Sequence, residues 1–335
     1  MAEFIWSSDL LFGKNPELKF LKEFFKKTNF FNELRLISRS FFKYKKGLTY
    51  LQNRFLAGSK ILKSKAKFSS SVQSATGYSV HFLCGHRDLK MLFWSLMSWY
   101  KVVPESGKVY IHDDGSLNDH DKKDLKNLFP TAEVVDYNQI SRQILNRLSS
   151  QFPKAHHYRK LSTSDRRYIY NLKLIDPFFV GDEKVKLILD SDLLWFKKPN
   201  ELLDELLTKQ HLPIFMGGYG RMDFVFSDGT SLPENVAGVN SGIVAFQKGQ
   251  FLLSNLEDFF SRVGRSTNPH FVEQAGYAYI LSKQHPPNFL PTEKYLIKGS
   301  VSESTILKHY TSPRREQFWF EGVEYLKDKK LTSKL

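Results

Sequence analysis

Residues 184–203 read KVKLILDSDLLWFKKPNELL, an apolar run followed at once by acids. The run Val185–Leu189 predicts a buried strand, and Asp190 and Asp192 follow its last residue. Residues two apart in an extended chain point to the same side, so the two carboxylates repel each other unless a cation lies between them. Hard oxygen ligands suit Mg²⁺ or Mn²⁺, which usually also contacts substrate phosphates. The stretch therefore predicts a divalent metal site with Asp190 and Asp192 as ligands.

Short apolar runs alternate with segments of helical spacing on both sides of this strand. The predicted elements are strands at 80–84, 108–112, 133–136 and 185–189, and helices at 90–100, 119–129, after 136 to about 147, and 166–178. This alternation predicts an α/β fold with a mixed, mostly parallel sheet and helices on both faces. Ligands bind at the carboxyl ends of the strands in such sheets, which directs attention to residues 85–88 and 113–115. We interpret Asp113 and Asp114 as turn residues rather than ligands.

The composition excludes several classes of protein. Of 335 residues, 41% are hydrophobic and 25% are charged, which excludes disorder as the main state and also collagen-like and coiled-coil architectures. Cys84 is the single cysteine, so the chain has neither an internal disulfide nor a four-cysteine zinc site. The sequence shows no secretory signal pattern and no apolar run of membrane-spanning length, so we expect a cytoplasmic location.

Positive charge is concentrated at the start of the chain. The net charge is +14, and residues 1–72 hold fifteen Lys and Arg against five Asp and Glu, which gives that segment +10. Residues 14–67 are predicted to be helical, either as a cap with solvated lysines or as a basic amphipathic surface on an anionic membrane. No nucleic-acid-binding signature accompanies the charge. The predicted organisation is a basic helical extension and linker (1–75), a catalytic domain (76–320) and a C-terminal tail (321–335).

Two enzyme classes place an Asp-x-Asp triplet after an apolar strand. In phosphatases of the haloacid dehalogenase type, the triplet follows the first strand, and a Thr or Val stands two residues after the second Asp. Here three predicted strands come first and that residue is Leu194, so this alternative fits poorly. The other class is the nucleotide-sugar glycosyltransferases.

Further segments favour the second class through their residues and their order. They are residues 168–174 (YIYNLKL), 237–246 (AGVNSGIVAF), 271–274 (FVEQ), 288–291 (NFLP) and 306–315 (ILKHYTSPRR). With the Asp-Ser-Asp triplet they resemble glycosyltransferase family 8, the retaining galactosyl- and glucosyltransferases that include bacterial lipopolysaccharide enzymes and glycogenin. The resemblance covers residues 79–318 and implies a GT-A fold. It also implies metal-dependent transfer of a hexose from a nucleotide-sugar, with UDP as the expected nucleotide, to a glycan, lipid-linked or protein acceptor.

The resemblance assigns roles to individual residues. It implies that His309 is the third metal ligand, beside Asp190 and Asp192, for Mn²⁺ or Mg²⁺. It implies that Glu273 and Gln274 act at the reacting sugar carbon. The residues expected to bind the donor are Asp88, Lys173, Asp190, Asn240, Gly242 and Arg315.

The sequence departs from the family pattern at three places. Asn171 stands where the family has an Arg, for which Arg166 or Arg167 is the candidate substitute, and Ala275 stands where it has a second acid. Ser312 replaces a Gly. These departures motivate the rival hypothesis of a non-catalytic module with a degenerate transferase fold held at a membrane surface.

The stereochemistry of the transfer is also open to two interpretations. We expect retention, in which the leaving phosphate takes the acceptor proton. An inverting transfer would instead need a carboxylate on the acceptor side, and Asp223 or Asp228 could supply it.

Overall fold

The computed structural model describes residues 30–57, 68–69, 77–218, 220–264 and 268–329. The chain divides into two compact units, and each is described by itself. The described residues of the first unit are 30–57 and 310–329, and those of the second lie between 68 and 309. The domain limits predicted at residues 75 and 320 stay a prediction.

The elements alternate along the chain much as predicted. In chain order they are α1 (Phe30–Phe42), α2 (Gly47–Leu51), β1 (Tyr78–Cys84), α3 (Leu89–Val102), β2 (Lys108–Asp113), α4 (Asp119–Leu128), β3 (Glu133–Val135), α5 (Tyr137–Leu148), α6 (Pro153–Ser164), α7 (Asn171–Phe179), β4 (Val185–Leu189), β5 (Leu193–Trp195), α8 (Asn200–Thr208), β6 (Ile214–Gly217), α9 (Glu234–Ala237), β7 (Val239–Gln247), α10 (Leu253–Arg262), α11 (Pro269–Ser282), β8 (Asn288–Phe289), β9 (Tyr295–Leu296), β10 (Leu307–His309) and α12 (Glu324–Asp328).

Seven strands form the main sheet of the second unit, in the order β3-β2-β1-β4-β7-β6-β8. The first four strands in this order are parallel, and β7 runs antiparallel to both β4 and β6. Consecutive residues of β4 are all buried, which requires cover on both faces of the sheet. The predicted fold class, a mixed and mostly parallel sheet covered by helices, is confirmed.

One face of this sheet packs on a large aromatic core. Ile188 of β4 and Val244 and Phe246 of β7 belong to the same buried cluster as residues of α7, α10 and α11. Two of these helices, α7 and α11, carry candidate site residues. Their packing therefore fixes the height and angle at which those side chains reach the end of the sheet.

A second, three-stranded sheet has the order β5-β10-β9. β5 begins directly after Asp192, and its Leu193 pairs in register with His309 at the end of β10. This pairing joins segments more than a hundred residues apart and brings a histidine beside the acids.

The first unit holds α1 and α2, a π-helix at Gln52–Ala57, a second π-helix at Phe318–Val323, and α12. The buried side-chain amide of Asn53 donates to the backbone carbonyl of Trp319. Arg39 pairs with the buried Glu316 at 2.9 Å. These contacts tie residues 310–329 to the N-terminal helices.

The helix predicted over residues 14–67 is interrupted where the structure describes it. A turn at residues 43–46 separates α1 from α2, and residues 14–29 and 58–67 lie outside the described residues. The linker predicted near residues 68–77 also falls largely outside them. No helix in the described ranges has the length and apolar character needed to cross a bilayer.

The helix predicted over 166–178 is wrong in its first turn. Residues Arg166–Tyr168 form a 3₁₀ turn because the Asp165 carboxylate accepts a hydrogen bond from the Arg167 N–H, and α7 begins only at Asn171. The sequence analysis also missed α6, which starts with Pro153 in its first turn.

Candidate metal centre

Asp190, Asp192 and His309 meet at the carboxyl end of β4. The imidazole Nε2 of His309 lies 3.0 Å from Asp192 Oδ1 and 3.3 Å from Asp190 Oδ2. One ligand atom from each residue can be chosen so that all three lie within 4.8 Å of one another. Two carboxylates and one imidazole are donors that suit Mn²⁺ and Mg²⁺ and leave further coordination positions for substrate oxygens.

The other imidazole nitrogen fixes the orientation of the ring. His309 Nδ1 lies 3.0 Å from the amide oxygen of Asn240, which also accepts the backbone N–H of Gly242. An oxygen acceptor requires a proton on Nδ1, so the lone pair of the neutral ring is on Nε2, facing the acids. Within the described residues this buried Nε2 has no hydrogen bond of normal geometry. The arrangement fits a cation held by the three side chains.

The charge on His309 depends on the same neighbours. Burial lowers the pKa of the imidazole, but the carboxylates of Asp192 and Asp190 outweigh it and raise the pKa to about 9. Without an ion, the ring therefore carries a proton at neutral pH, and a cation would have to displace that proton.

Gly242 makes room for this histidine. A Cβ on residue 242 would lie 2.5 Å from His309 Nδ1, closer than a side chain can pack. The carbonyl of Gly242 also accepts the backbone N–H of Asp190 at 3.0 Å. Gly242 of β7 thus binds the backbone of Asp190 and leaves space for the imidazole of His309.

Lys173 of α7 lies behind the cluster as its internal counter-charge. Its buried ammonium is 2.6 Å from Asp190 Oδ1 and 3.0 Å from Glu273 Oε1, and it donates to the Ser241 carbonyl. Burial alone would lower the pKa of Lys173, but the two carboxylates raise it above its ordinary value. Likewise, burial would raise the pKa of Asp190, yet Lys173 and His309 lower it. Asp190 therefore remains ionised as a ligand must.

Glu273 and Gln274 reach the site from the second turn of α11. Glu273 Oε2 accepts the Ser241 hydroxyl at 2.8 Å, and Gln274 Oε1 accepts the Ser241 N–H at 3.4 Å. Burial raises the pKa of Glu273, opposed by the neighbouring Lys173. The structure thus brings Glu273, Gln274 and Lys173 together around one serine.

Ser241 is a residue of this candidate site that the sequence did not predict. Its carbonyl, hydroxyl and N–H contact Lys173, Glu273 and Gln274 respectively. The strand alternation could have revealed it, because side chains of successive strand residues point to opposite faces. Asn240 faces His309, so Ser241 had to face the helices behind β7.

The remaining predicted donor residues lie elsewhere. Asp88 ends a 3₁₀ turn after β1 and lies 3.4 Å from the exposed Arg87. Arg166 reaches Asp114 at 2.8 Å, whereas Arg167 pairs only with its neighbour Asp165 among the contacts described for it. Arg315 belongs to the first unit, so its predicted contact with the diphosphate stays a prediction.

The interpretation of Asp113 and Asp114 as turn residues is confirmed. Asp113 Oδ1 accepts the N–H groups of Gly115 and Leu117, and Asp114 Oδ1 accepts the N–H and hydroxyl of Ser116. One oxygen of each carboxylate is therefore engaged within the loop that follows β2, while the other lies beside Lys122 for Asp113 and beside Arg166 for Asp114.

Two of the departures from the family pattern have a structural explanation. Asn171 is buried, and its amide donates to the Tyr158 carbonyl at 3.2 Å. Ala275 is fully buried in the aromatic core on α11. Neither position has room for a charged side chain without repacking.

No family model matches the sequence, and no curated protein does either. Among solved structures the chain is similar to mouse xyloside xylosyltransferase 1, with 15% identity, 71% of this chain and 98% of that chain covered, and a TM-score of 0.45. It is similar to the galactosyltransferase LgtC in complex with donor and acceptor sugar analogues, with 13% identity, 77% and 96% covered, and a TM-score of 0.47. It is also similar to core-mannan synthase A from Aspergillus fumigatus in an Mn/GDP form, with 11% identity, 78% and 90% covered, and a TM-score of 0.41. With TM-scores below 0.5, these similarities carry no inference about activity.

Proposed function

We propose that the protein is a metal-dependent glycosyltransferase that transfers a hexose from a nucleotide-sugar. The observation that carries the proposal is the Asp190, Asp192 and His309 cluster at the end of the sheet, with the charged pair of Lys173 and Glu273 directly behind it. The three ligands would hold Mn²⁺ or Mg²⁺. When bound, the cation supplies positive charge for the diphosphate that leaves as the sugar–oxygen bond breaks.

Each protein group has a distinct task in this proposal. Lys173 keeps Asp190 ionised and aligned through their 2.6 Å contact. Asn240 holds the imidazole of His309 with Nε2 toward the acids. Glu273 and Gln274 lie on the inner side of β7, where a buried acid stabilises positive charge that develops on a sugar ring.

The donor is proposed to be a UDP-sugar that lies along the carboxyl edge of β1 and β4. Asp88 follows β1 and is proposed to contact the nucleoside. Arg166 is the better substitute for the missing family Arg, because it reaches Asp114 at the edge of the sheet. Arg315 is proposed to bind the diphosphate. The acceptor is proposed to be a glycan or a lipid-linked or protein-linked sugar.

Retention is the proposed stereochemical outcome. Hydrogen bonds from the Thr230 hydroxyl and N–H, together with Arg262, lower the pKa of Asp228 to about 2. Such a weakly basic carboxylate is a poor general base at neutral pH. Glu273 is buried against Lys173 and Ser241, so it does not face outward as a base for an acceptor.

Hydrolysis of nucleotide-sugars by the purified full chain tests the proposal. A thermal-shift screen of nucleotide-sugars with Mn²⁺ first identifies the donor, since a bound ligand stabilises the folded state by mass action. We expect slow release of the nucleotide that stops with chelator. Proton NMR should show the released hexose first as the α-anomer when the donor is α-linked, before mutarotation. Donor binding without any turnover would favour the non-catalytic module, and turnover unaffected by chelator would contradict the proposal.

A further inference from the structure

The N-terminal helices of the first unit expose apolar side chains to an unusual degree. Of the eleven large apolar side chains that are exposed in the described part of the chain, six lie within residues 34–56. They are Leu34, Phe41, Phe42, Leu48, Phe55 and Leu56, with Phe42 84% and Leu48 71% exposed. An apolar surface of this kind indicates a partner.

Four of these side chains lie on two helices that meet, α1 and α2, while Phe55 and Leu56 lie on the π-helix that follows. The Phe41 ring packs directly on Gly47, where any Cβ would overlap it, and Leu48 is the next residue. Leu34 and Phe41 are seven residues apart on α1, which places them on the same face of that helix. Phe41, Phe42 and Leu48 thus lie on either side of one short turn, and these exposed side chains are here named the Phe42–Leu48 patch.

Basic residues surround this patch. Lys43, Lys45 and Lys46 occupy the turn between the helices and are exposed, as is Arg35 on α1. No carboxylate of the described residues lies within ion-pair distance of Lys45 or Lys46. The patch is therefore apolar at its centre and positively charged at its rim.

The backbone beneath the patch is held in place. The turn is closed by hydrogen bonds from the N–H groups of Lys43 and Tyr44 to the Arg39 carbonyl, and from Lys46 to Ser40. On the inner side, the Tyr50 hydroxyl donates to Glu33 at 2.6 Å. The exposed side chains thus project from a structured support.

We propose that the Phe42–Leu48 patch docks on an anionic phospholipid bilayer. Phe42 and Leu48 would insert at the level of the acyl-chain boundary, while the lysines reach the headgroup phosphates through their flexible stems. Lysine is depleted at protein–protein interfaces, and a second copy of this basic surface would be repelled. Nucleic acid would bind the lysines but would not bury the exposed side chain of Leu48.

Vesicle sedimentation of the full chain tests this docking. The vesicles are phosphatidylcholine alone or with about 30 mol% phosphatidylglycerol. Each lysine near an anionic surface raises the membrane partition coefficient by a factor of about five. We expect binding to the anionic vesicles only, weakened as salt shortens the screening length from about 10 Å to about 3 Å.

Two double variants separate the apolar and charged contributions. Phe42→Ser with Leu48→Ser should reduce the partition coefficient by at least about tenfold, since two apolar side chains no longer leave water. Lys45→Gln with Lys46→Gln should reduce it by about 25-fold. The controls, Leu207→Ser and Lys101→Gln with Lys123→Gln, change exposed residues elsewhere and should bind as wild type.

Other outcomes would overturn the inference. If the lysine variant loses binding to the anionic vesicles while the apolar variant does not, the contact is purely electrostatic and no apolar side chain enters the bilayer. If wild type does not bind the vesicles but forms a dimer in sedimentation velocity, and the apolar variant does not form that dimer, the partner is a second copy of the chain. Hydrolysis of the nucleotide-sugar should be unchanged in all four variants, so this test is independent of the proposed function.

Discussion

Two pairs of aspartates lie at the carboxyl ends of two parallel strands of the main sheet, and their contacts differ. Asp113 and Asp114 end β2 and accept backbone N–H groups of their own loop. Asp190 and Asp192 follow β4 and face an imidazole from β10 and, for Asp190, the ammonium of Lys173. The end of a strand therefore does not by itself make a metal site. Both pairs face cations, since Lys122 lies beside Asp113 and Arg166 beside Asp114. The pairs differ because backbone N–H groups of the loop occupy one oxygen of each carboxylate in the first pair, whereas the second pair faces an imidazole.

The largest expected effect comes from removing one acid of the second pair. Asp192→Asn should lower the rate of nucleotide-sugar hydrolysis by about a thousandfold or more, since several kcal/mol of charge stabilisation depend on the bound cation. Initial rates at saturating Mn²⁺ measure it. Asp113→Asn is the matched control and should retain the rate while losing about 1 kcal/mol of stability, because the amide oxygen can still accept the two backbone N–H groups but the charge that pairs with Lys122 is lost. An equal loss of rate in both variants would contradict the claim that only the second pair binds the cation.

The counter-charges of the two pairs should also differ in their effect on stability. Lys173→Met leaves Asp190 and Glu273 buried beside each other, which should cost about 3–5 kcal/mol in the free energy of unfolding. Lys122→Met removes the partially exposed partner of Asp113 and should cost less than about 1 kcal/mol. Urea unfolding measures both. A cost for Lys173→Met as small as that of Lys122→Met would mean that the two acids are not held in one charged cluster. Partial recovery of the unfolding free energy in the double variant Lys173→Met with Glu273→Gln would support the charged cluster.

Asn240 provides a test of how the imidazole is held. Asn240→Leu removes the oxygen that accepts His309 Nδ1–H, and should weaken Mn²⁺ binding by about ten- to a hundredfold while the fold persists. Calorimetric titration gives the affinity. Asn118→Ala, which removes the N-cap of α4 near the first pair, should reduce stability by about 1 kcal/mol and leave Mn²⁺ binding unchanged. Unchanged affinity in Asn240→Leu would show that the ring needs no such support.

Two buried histidines within β1 and β2 predict how the stability of the fold depends on pH, and this is the smallest of the expected effects. His81 and His112 are buried on β1 and β2, 2.9 Å apart, and burial lowers the pKa of His112 to about 3. The unfolded chain binds a proton near pH 6.5 and the folded chain does not, so stability should fall as the pH drops below 6.5. Between the neutral plateau and pH 5 the loss should be about 2 kcal/mol for His112.

A comparison of variants isolates this contribution from other titrating groups. His112→Gln should flatten the decline of stability below pH 6.5, whereas the exposed His120→Gln should leave it unchanged. Chemical unfolding at pH 7 and pH 5 measures the slope. An identical slope in all three proteins would mean that His112 takes up a proton in the folded state.

Much of the fold could be predicted from local pattern, because each of the four predicted strands is a short apolar run with an acid or a glycine at its end. The cluster of Asp190, Asp192 and His309 could also be predicted, the acids because they follow such a run and the histidine through the resemblance to glycosyltransferase family 8. One error had a local cause, and the other gaps came from contacts between distant segments. The Asp165 turn shortened the predicted helix, and only the pairing of β5 with β10 explains why His309 meets Asp192. Ser241 and the buried position of Ala275 likewise depend on how α11 packs on β7.

The most direct test is a titration of Mn²⁺ followed by electron paramagnetic resonance, with UDP present, on wild type and on Asp192→Asn. The free-ion signal should decrease with one equivalent of Mn²⁺ in wild type and persist in the variant. Binding of one equivalent with the same affinity in both proteins would show that the ion lies elsewhere and would contradict the proposed metal centre.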